Sequence, residues 1–160
     1  MHYLCTIYTN FKAIASYFYQ NLIYKGKMQK GLITSEILTQ FRSIVGLDQV
    51  ILDETELNHY GHDETEKLVY SPEVILKPAD SFQIAEILKI CNQHHLPVTP
   101  RGAGTGLSGG ALPHLGGVLL STEKLNKIIS IDERNLQVIT EPGVITEVLQ
   151  DAVKEKGLFY

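Results

Sequence analysis

Cysteine is scarce. Cys5 and Cys91 are the two in 160 residues, and they lie far apart in sequence. Thiols so spaced make neither a disulfide framework nor a metal-ligand pair, so a reducing, cytoplasmic setting is expected. Excess positive charge is missing too. The formal net charge is −4 and the pI is near 5.8, which argues against nucleic acid or an anionic membrane as partner. No apolar run approaches the roughly eighteen residues of a membrane span. Residues 1–27 contain no acidic residue and hold Tyr3, Tyr8, Phe11, Tyr17, Phe18, Tyr19 and Tyr24. They lack the basic start, apolar core and cleavage site of a signal peptide, and the Arg of a transit peptide. A poorly ordered extension is expected there, or translated upstream sequence before a true start at Met28.

What remains is globular: 44% hydrophobic and 20% charged, long enough for one domain with a real core. Residues 28–66 are expected to form an N-terminal helical segment. Ile37, Leu38, Phe41, Ile44 and Val45 share one helical face, with Thr34 or Ser35 to cap the start and Gly46 to end it. Val50-Ile51-Leu52 suits a strand or a docked turn. The polar stretch from Asp53 to Glu66 contains His59, Tyr60, His62, Asp63 and Glu64. Nothing else in the sequence completes a metal site around its two histidines, so a solvated loop is expected.

From Glu73 the pattern becomes regular. Val74-Ile75-Leu76, bounded by Pro72 and Pro78, predicts a buried strand. Asp80 and Gln83 have capping-box spacing, and Ile84, Ile87, Leu88 and Cys91 predict one apolar helix face. His94 and His95 fall in its last turn. Leu96-Pro97-Val98 opens the next strand, which completes a βαβ unit with parallel strands. Residues 117–121, 128–131 and 136–140 predict three more strands, the last two a hairpin. A final helix carries Ile145, Val148, Leu149, Ala152 and Val153 on one face and stops at Gly157. Leu158-Phe159-Tyr160 predicts the start of a further strand. The fold class is α+β with an α/β-like start, a small mixed sheet and flanking helices.

The stretch that carries chemistry is Pro100 to Gly110, PRGAGTGLSGG, with five glycines in eleven residues. Such a loop can turn several N–H groups toward one anion. Gly104-Thr105-Gly106-Leu107-Ser108-Gly109 matches G-x-G-x-x-G, but the nicotinamide fingerprint needs a helix to begin inside the motif. Gly110, Pro113, Gly116 and Gly117 follow at once and leave no room for one. No Lys-Ser or Lys-Thr follows, so a Walker loop fails as well. A glycine-rich turn with no ligand is a poor account of five entropically costly glycines. A non-helical diphosphate loop fits better: backbone amides converge, Thr105 and Ser108 add hydroxyls, and Arg101 adds a fixed charge or instead braces the loop from within.

Pro97 to Ala111, with Gly116 to Ser121 and Glu141-Pro142-Gly143-Val144, resembles the FAD-binding domain of the p-cresol methylhydroxylase/vanillyl-alcohol oxidase superfamily (PCMH-type). The branch it resembles is the group of glycolate oxidase flavin subunits and D-lactate dehydrogenases. The resemblance covers roughly residues 52–160 and implies that residues 67–160 are the first subdomain of such a domain. It implies that Pro100, Arg101, Gly102, Ala103, Gly104 and Thr105 hold the FAD diphosphate. Gly106, Leu107, Ser108 and Gly109 would line its continuation, and Glu141, Pro142, Gly143 and Val144 would contact the cofactor. Members that bind flavin covalently often carry His where this chain has Thr105, which implies non-covalent FAD. Tyr60 and Asp63 match a Y-x-x-D element of the family, with no role derivable from sequence.

The family continues beyond the stretch matched here with a second half of the FAD domain and a cap that carries catalytic groups. The expectation is therefore an FAD-binding fragment of a flavin oxidoreductase acting on 2-hydroxy acids such as D-lactate or glycolate. In the intact family hydride passes from substrate to flavin. No catalytic residue is assigned in this chain, and the missing half would be a separate chain or absent. The alternative is a non-catalytic nucleotide-binding or interaction module left by gene truncation.

Overall fold

A computed structural model describes residues 30–160; the expectations for residues 1–27, and Cys5 with them, lie outside the described residues. The first helix, α1, spans Ser35–Val45, with Thr34 Oγ1 accepting from the Ile37 amide and Gly46 following at φ 92°. A two-residue strand β1, Val50–Ile51, settles the strand-or-turn alternative. Helix α2, Glu54–Tyr60, stands where a loop was expected. Strand β2, Val74–Leu76, leads into α3, Ser81–Gln93, then β3, Val98–Arg101, and β4, Val118–Ser121. Strands β5, Ile128–Asp132, and β6, Gln137–Thr140, precede α4, Thr146–Lys154.

Periodicity misses α2 because the helix has no apolar stripe; Leu57 is half-buried and its other side chains are polar or exposed. Its signal lies in the cap. Asp53 accepts from the Glu56 amide at 3.1 Å, with Glu54 and Glu56 in the first turn beside the positive end of the helix dipole.

The main sheet has strand order β1-β2-β4-β3. Strand β4 pairs parallel with β2 and with β3, and β1 pairs antiparallel with β2. Thus β2 and β3 point the same way across α3, as the βαβ pattern requires, but β4 is inserted between them. Alternation sends Val74, Leu76, Val118 and Leu120 into one core with Ile37, Phe41, Val45, Ile87, Cys91 and Leu96. Ile75, Leu119 and Ser121, of opposite parity, are also buried. The central strands are covered on both faces, which explains their unbroken apolar runs. Strands β5 and β6 form a separate antiparallel ribbon with a bulge between Ile128 and Ser130.

Several sequence expectations need correction. The buried edge of α3 is Ile87 and Cys91 with Ile84 and Ile90 half-buried, while Leu88 is 44% exposed. The inward stripe is turned away from Leu88 toward Ile90. His94 is the C-cap of α3 and His95 takes φ 53°, so neither belongs to the helix. Leu136 has φ 54° and sits in the hairpin turn, with β6 beginning at Gln137. On α4, Leu149 and Val153 are buried but Ile145 and Val148 are exposed. Residues 158–160 pair with no strand among the described residues.

Truncating Ile87→Ala is expected to lower unfolding free energy by about 2–5 kcal/mol, because it opens a cavity between α3 and the sheet. Leu88→Ala is expected to cost well under about 1 kcal/mol. Urea titrations of both variants check this contrast.

Candidate functional site

In open sheets with parallel strands, ligands gather beyond the carboxyl ends of the strands. Here those ends are Arg101-Gly102 on β3 and Ser121-Thr122-Glu123 on β4, side by side because Arg101 is in register with Ser121. A cleft of about 440 Å³ opens there, within the usual size of small-molecule sites, about 300–1,000 Å³. Arg101, Gly102 and Ala103 line it on one side and Gly143, Ile145 and Val148 on another, with His59, Tyr60, Glu123 and Asn126 completing it.

Beyond β3 the chain stays irregular. Residues 102–117 contain no helix, which removes the nicotinamide-type alternative. Among the described residues, the backbone N–H groups of residues 102–108 find no protein acceptor. The Thr105 and Ser108 side chains are exposed and likewise meet no protein partner among the described residues. Gly104 and Gly109 take φ of 76° and 68°. A Cβ on Gly104 would also collide with the Arg101 guanidinium beneath it, so the position excludes side chains twice over. The result is a run of exposed, unpaired donors on a strand-fed loop, which suits a diphosphate.

The Glu141-Pro142-Gly143-Val144 turn docks beside this loop. The Gly143 amide donates to the Leu125 carbonyl at 2.7 Å, and a Cβ there would overlap the Thr122 carbonyl. The Pro142 carbonyl stands next to Gly102. Glu141 is turned away and accepts from the Lys127 amide at 2.8 Å through Oε2. The structure therefore brings Arg101, Gly102, Ala103 and Gly143 to one cleft. Gly104, Thr105, Gly106, Leu107, Ser108 and Gly109 continue out of it, and Leu107 is 77% exposed. Pro100 is within β3.

Arg101 is 8% exposed and turned inward. Its Nη1 donates to the His62 carbonyl at 2.7 Å, and its guanidinium carbon is 5.4 Å from the Tyr60 ring centroid. Of the two roles open to it from sequence, this geometry is that of a brace. Beside it, the Tyr60 hydroxyl donates to Glu123 Oε2 at 2.6 Å and Lys77 Nζ pairs with Glu123 Oε1 at 2.7 Å. Burial works against the Glu123 carboxylate, yet hydrogen bonds from Lys77 and Tyr60 outweigh it and hold its pKa below the usual 4.5. Burial, helped by Glu123, raises the Tyr60 hydroxyl; for Lys77 burial pulls downward but the Glu123 hydrogen bond prevails and its pKa rises.

Sequence reasoning assigned nothing to Glu123, Asn126, Ile145 or Val148 as site residues. The strand-end rule applied to β4 points to Glu123; the register that decides which strand ends meet is a product of the fold. No cluster of metal-ligating side chains occurs among the described residues, and His59 meets His62 only edge-on, ring centroids 5.7 Å apart. His114 packs edge-on against Tyr70.

The family model for the FAD binding domain matches residues 72–160. The chain belongs to this family. It is 37% identical over 131 residues to glycolate oxidase subunit GlcD of Bacillus subtilis, covering 81% of this chain and 27% of that protein. It is 35% identical over 135 residues to a D-lactate dehydrogenase of Anaerostipes hadrus, covering 82% and 28%. The crystal structure of p-cresol methylhydroxylase with substrate bound superposes with a TM-score of 0.68 at 28% identity, over 79% of this chain and 26% of that one. The chain thus spans about a quarter of the length of the relatives it matches. The comparisons bear out the resemblance and the α+β fold, and FAD is the cofactor of the family. The unpaired amides of the glycine loop and the adjoining cleft fit that cofactor. No helix of the described residues is long and apolar enough to cross a membrane.

The Glu123 pair sets a pH dependence. Glu123, lowered in the fold, stabilises fully above about pH 4.5 and loses its contribution as pH falls through its folded pKa. Lys77 and Tyr60, both raised, contribute fully below their usual values of 10.5 and 10.0 and lose this as pH rises past their folded ones. Urea midpoints measured against pH are expected to fall at both ends, and Glu123→Gln to shrink the acid-side fall.

Proposed function

We propose that the backbone of residues 100–109 holds the FAD diphosphate non-covalently over the Arg101 brace, with the Glu141 to Val144 turn closing the site from the side through Gly143. The observation that carries this reading is the exposed run of unpaired backbone amides at residues 102–108, beginning at the cleft. Hydrogen bonds to a charged acceptor contribute about 1.5–3 kcal/mol each, so a few of them hold a diphosphate without a helix dipole. The Gly102 and Ala103 backbone would bind, while Ile145 and Val148 shield one wall from water. Thr105 offers a hydroxyl where covalent attachment would need a stronger nucleophile such as imidazole.

The family relatives named for glycolate and D-lactate support oxidation of a 2-hydroxy acid as the activity this unit serves. The flavin, when bound, supplies hydride acceptance, and the protein supplies orientation and electrostatics. A second reading is a non-catalytic nucleotide-binding module, since exposed and unpaired amides suit the diphosphate of any nucleotide.

Flavin fluorescence titration of the 160-residue chain is expected to show weak FAD binding that Gly104→Ala reduces at least about tenfold, since the added Cβ displaces Arg101. D-Lactate and glycolate are expected to leave flavin bound to these 160 residues oxidised, because they span about a quarter of the length of the relatives named for those substrates. Tight ADP binding with no preference for FAD would favour the second reading, and wild-type affinity in a folded Gly104→Ala would end the loop assignment.

A further inference from the structure

The Y-x-x-D element, Tyr60 to Asp63, has no partner in the function described so far. Its surroundings give it one. The segment running on from it touches the glycine loop at three separated places. Arg101 Nη1 donates to the His62 carbonyl at 2.7 Å. The Glu64 amide donates to the Gly106 carbonyl at 3.1 Å. The Gly109 amide donates to Thr65 Oγ1 at 2.7 Å. These contacts fall at the start, middle and end of the loop.

Asp63 lies at the centre of this grip. It is 8% exposed. Its Oδ1 accepts from the Thr65 amide at 2.9 Å, which sets the residue that in turn holds Gly109. Its Oδ2 is buried with no hydrogen-bond partner, close enough to Gly106 that a Cβ there would stand 3.7 Å away. An unsatisfied buried carboxylate oxygen is costly. Burial works against the Asp63 carboxylate, yet hydrogen bonding from Thr65, then the nearby Arg101 charge and the Ala111 amide, outweigh it and keep Asp63 ionised below its usual range.

We propose that Asp63 and Thr65 are positioning residues for the diphosphate loop: they touch no cofactor but hold residues 101–109 in the shape that aims its amides outward. This rests on the loop assignment above. Donors fixed in advance bind an anion without reorganising, whereas a loop free to collapse would turn its amides to other acceptors or to water. Loss of the grip therefore acts on cofactor affinity through the shape of the loop, and shows in the protein before any cofactor is added.

The test uses the full chain with Thr65→Val, Thr65→Ser and Asp63→Asn. Amide NMR spectra of the cofactor-free proteins report the glycine loop directly, and circular dichroism reports the fold. Thr65→Val, which loses the hydroxyl bond to Gly109, is expected to move the loop glycine resonances and weaken FAD binding about three- to tenfold. Thr65→Ser is expected to restore both. Asp63→Asn is expected to exceed Thr65→Val in both readouts; should it fail to fold, the Thr65 pair decides alone. Unmoved glycine resonances in folded Thr65→Val would overturn the proposal, and so would moved resonances with unchanged affinity. If the wild-type chain bound no FAD, the loop assignment would fall, and the resonances would still decide whether the grip exists.

Discussion

The site depends on one buried cation. Arg101 ends β3 with its side chain turned under the loop that it begins, bonded to the His62 carbonyl and lying near the Tyr60 ring. Because its guanidinium fills the space below residue 104, whose φ is 76°, any side chain there strains the backbone and displaces Arg101. Because it is buried, it needs the Asp63 charge near it. The loop above is irregular backbone with unpaired amides, an arrangement that would collapse without a floor. Arg101 is that floor, and it is itself placed by the parallel pairing of β3 with β4.

A second polar group stands beside the first. Glu123 leaves the end of β4 and is met by Lys77 from beyond β2, by Tyr60 from the end of α2 and by Ser121. Three elements distant in sequence are thereby tied at one corner of the cleft. Lys77 and Glu123 are partly desolvated, and each favours the charged form of the other. The Tyr60 ring lies within 5.4 Å of Arg101 and 5.0 Å of Lys77, which couples the two polar groups through one aromatic ring.

The parts of this architecture that were legible share a physical cause. Strands β2 and β4 are buried on both faces, and only apolar side chains survive there, so Val74 to Leu76 and Val118 to Leu120 declare themselves. Caps declare themselves likewise, since Thr34 and Asp80 accept from amides three residues on. The glycine loop is readable because backbone shape and close approach leave no other residue type. Helix α2 was not readable by pattern, because its stability comes from its cap and from Tyr60 reaching Glu123 rather than from an apolar face. Leu88, Ile145 and Val148 misled because an apolar residue on an amphipathic helix need not face the core.

The sequence alone determined the order of strands and helices apart from β1 and α2, and the irregularity of residues 102–110, since these follow from local backbone preference and burial. Only the tertiary structure decided that β4 lies between β2 and β3, that Arg101 points inward, and that the segment 60–65 grips the loop. Those outcomes come from contacts between residues about 20 to 63 positions apart. Neither spacing nor composition encodes such contacts; they arise when the buried strands choose their neighbours.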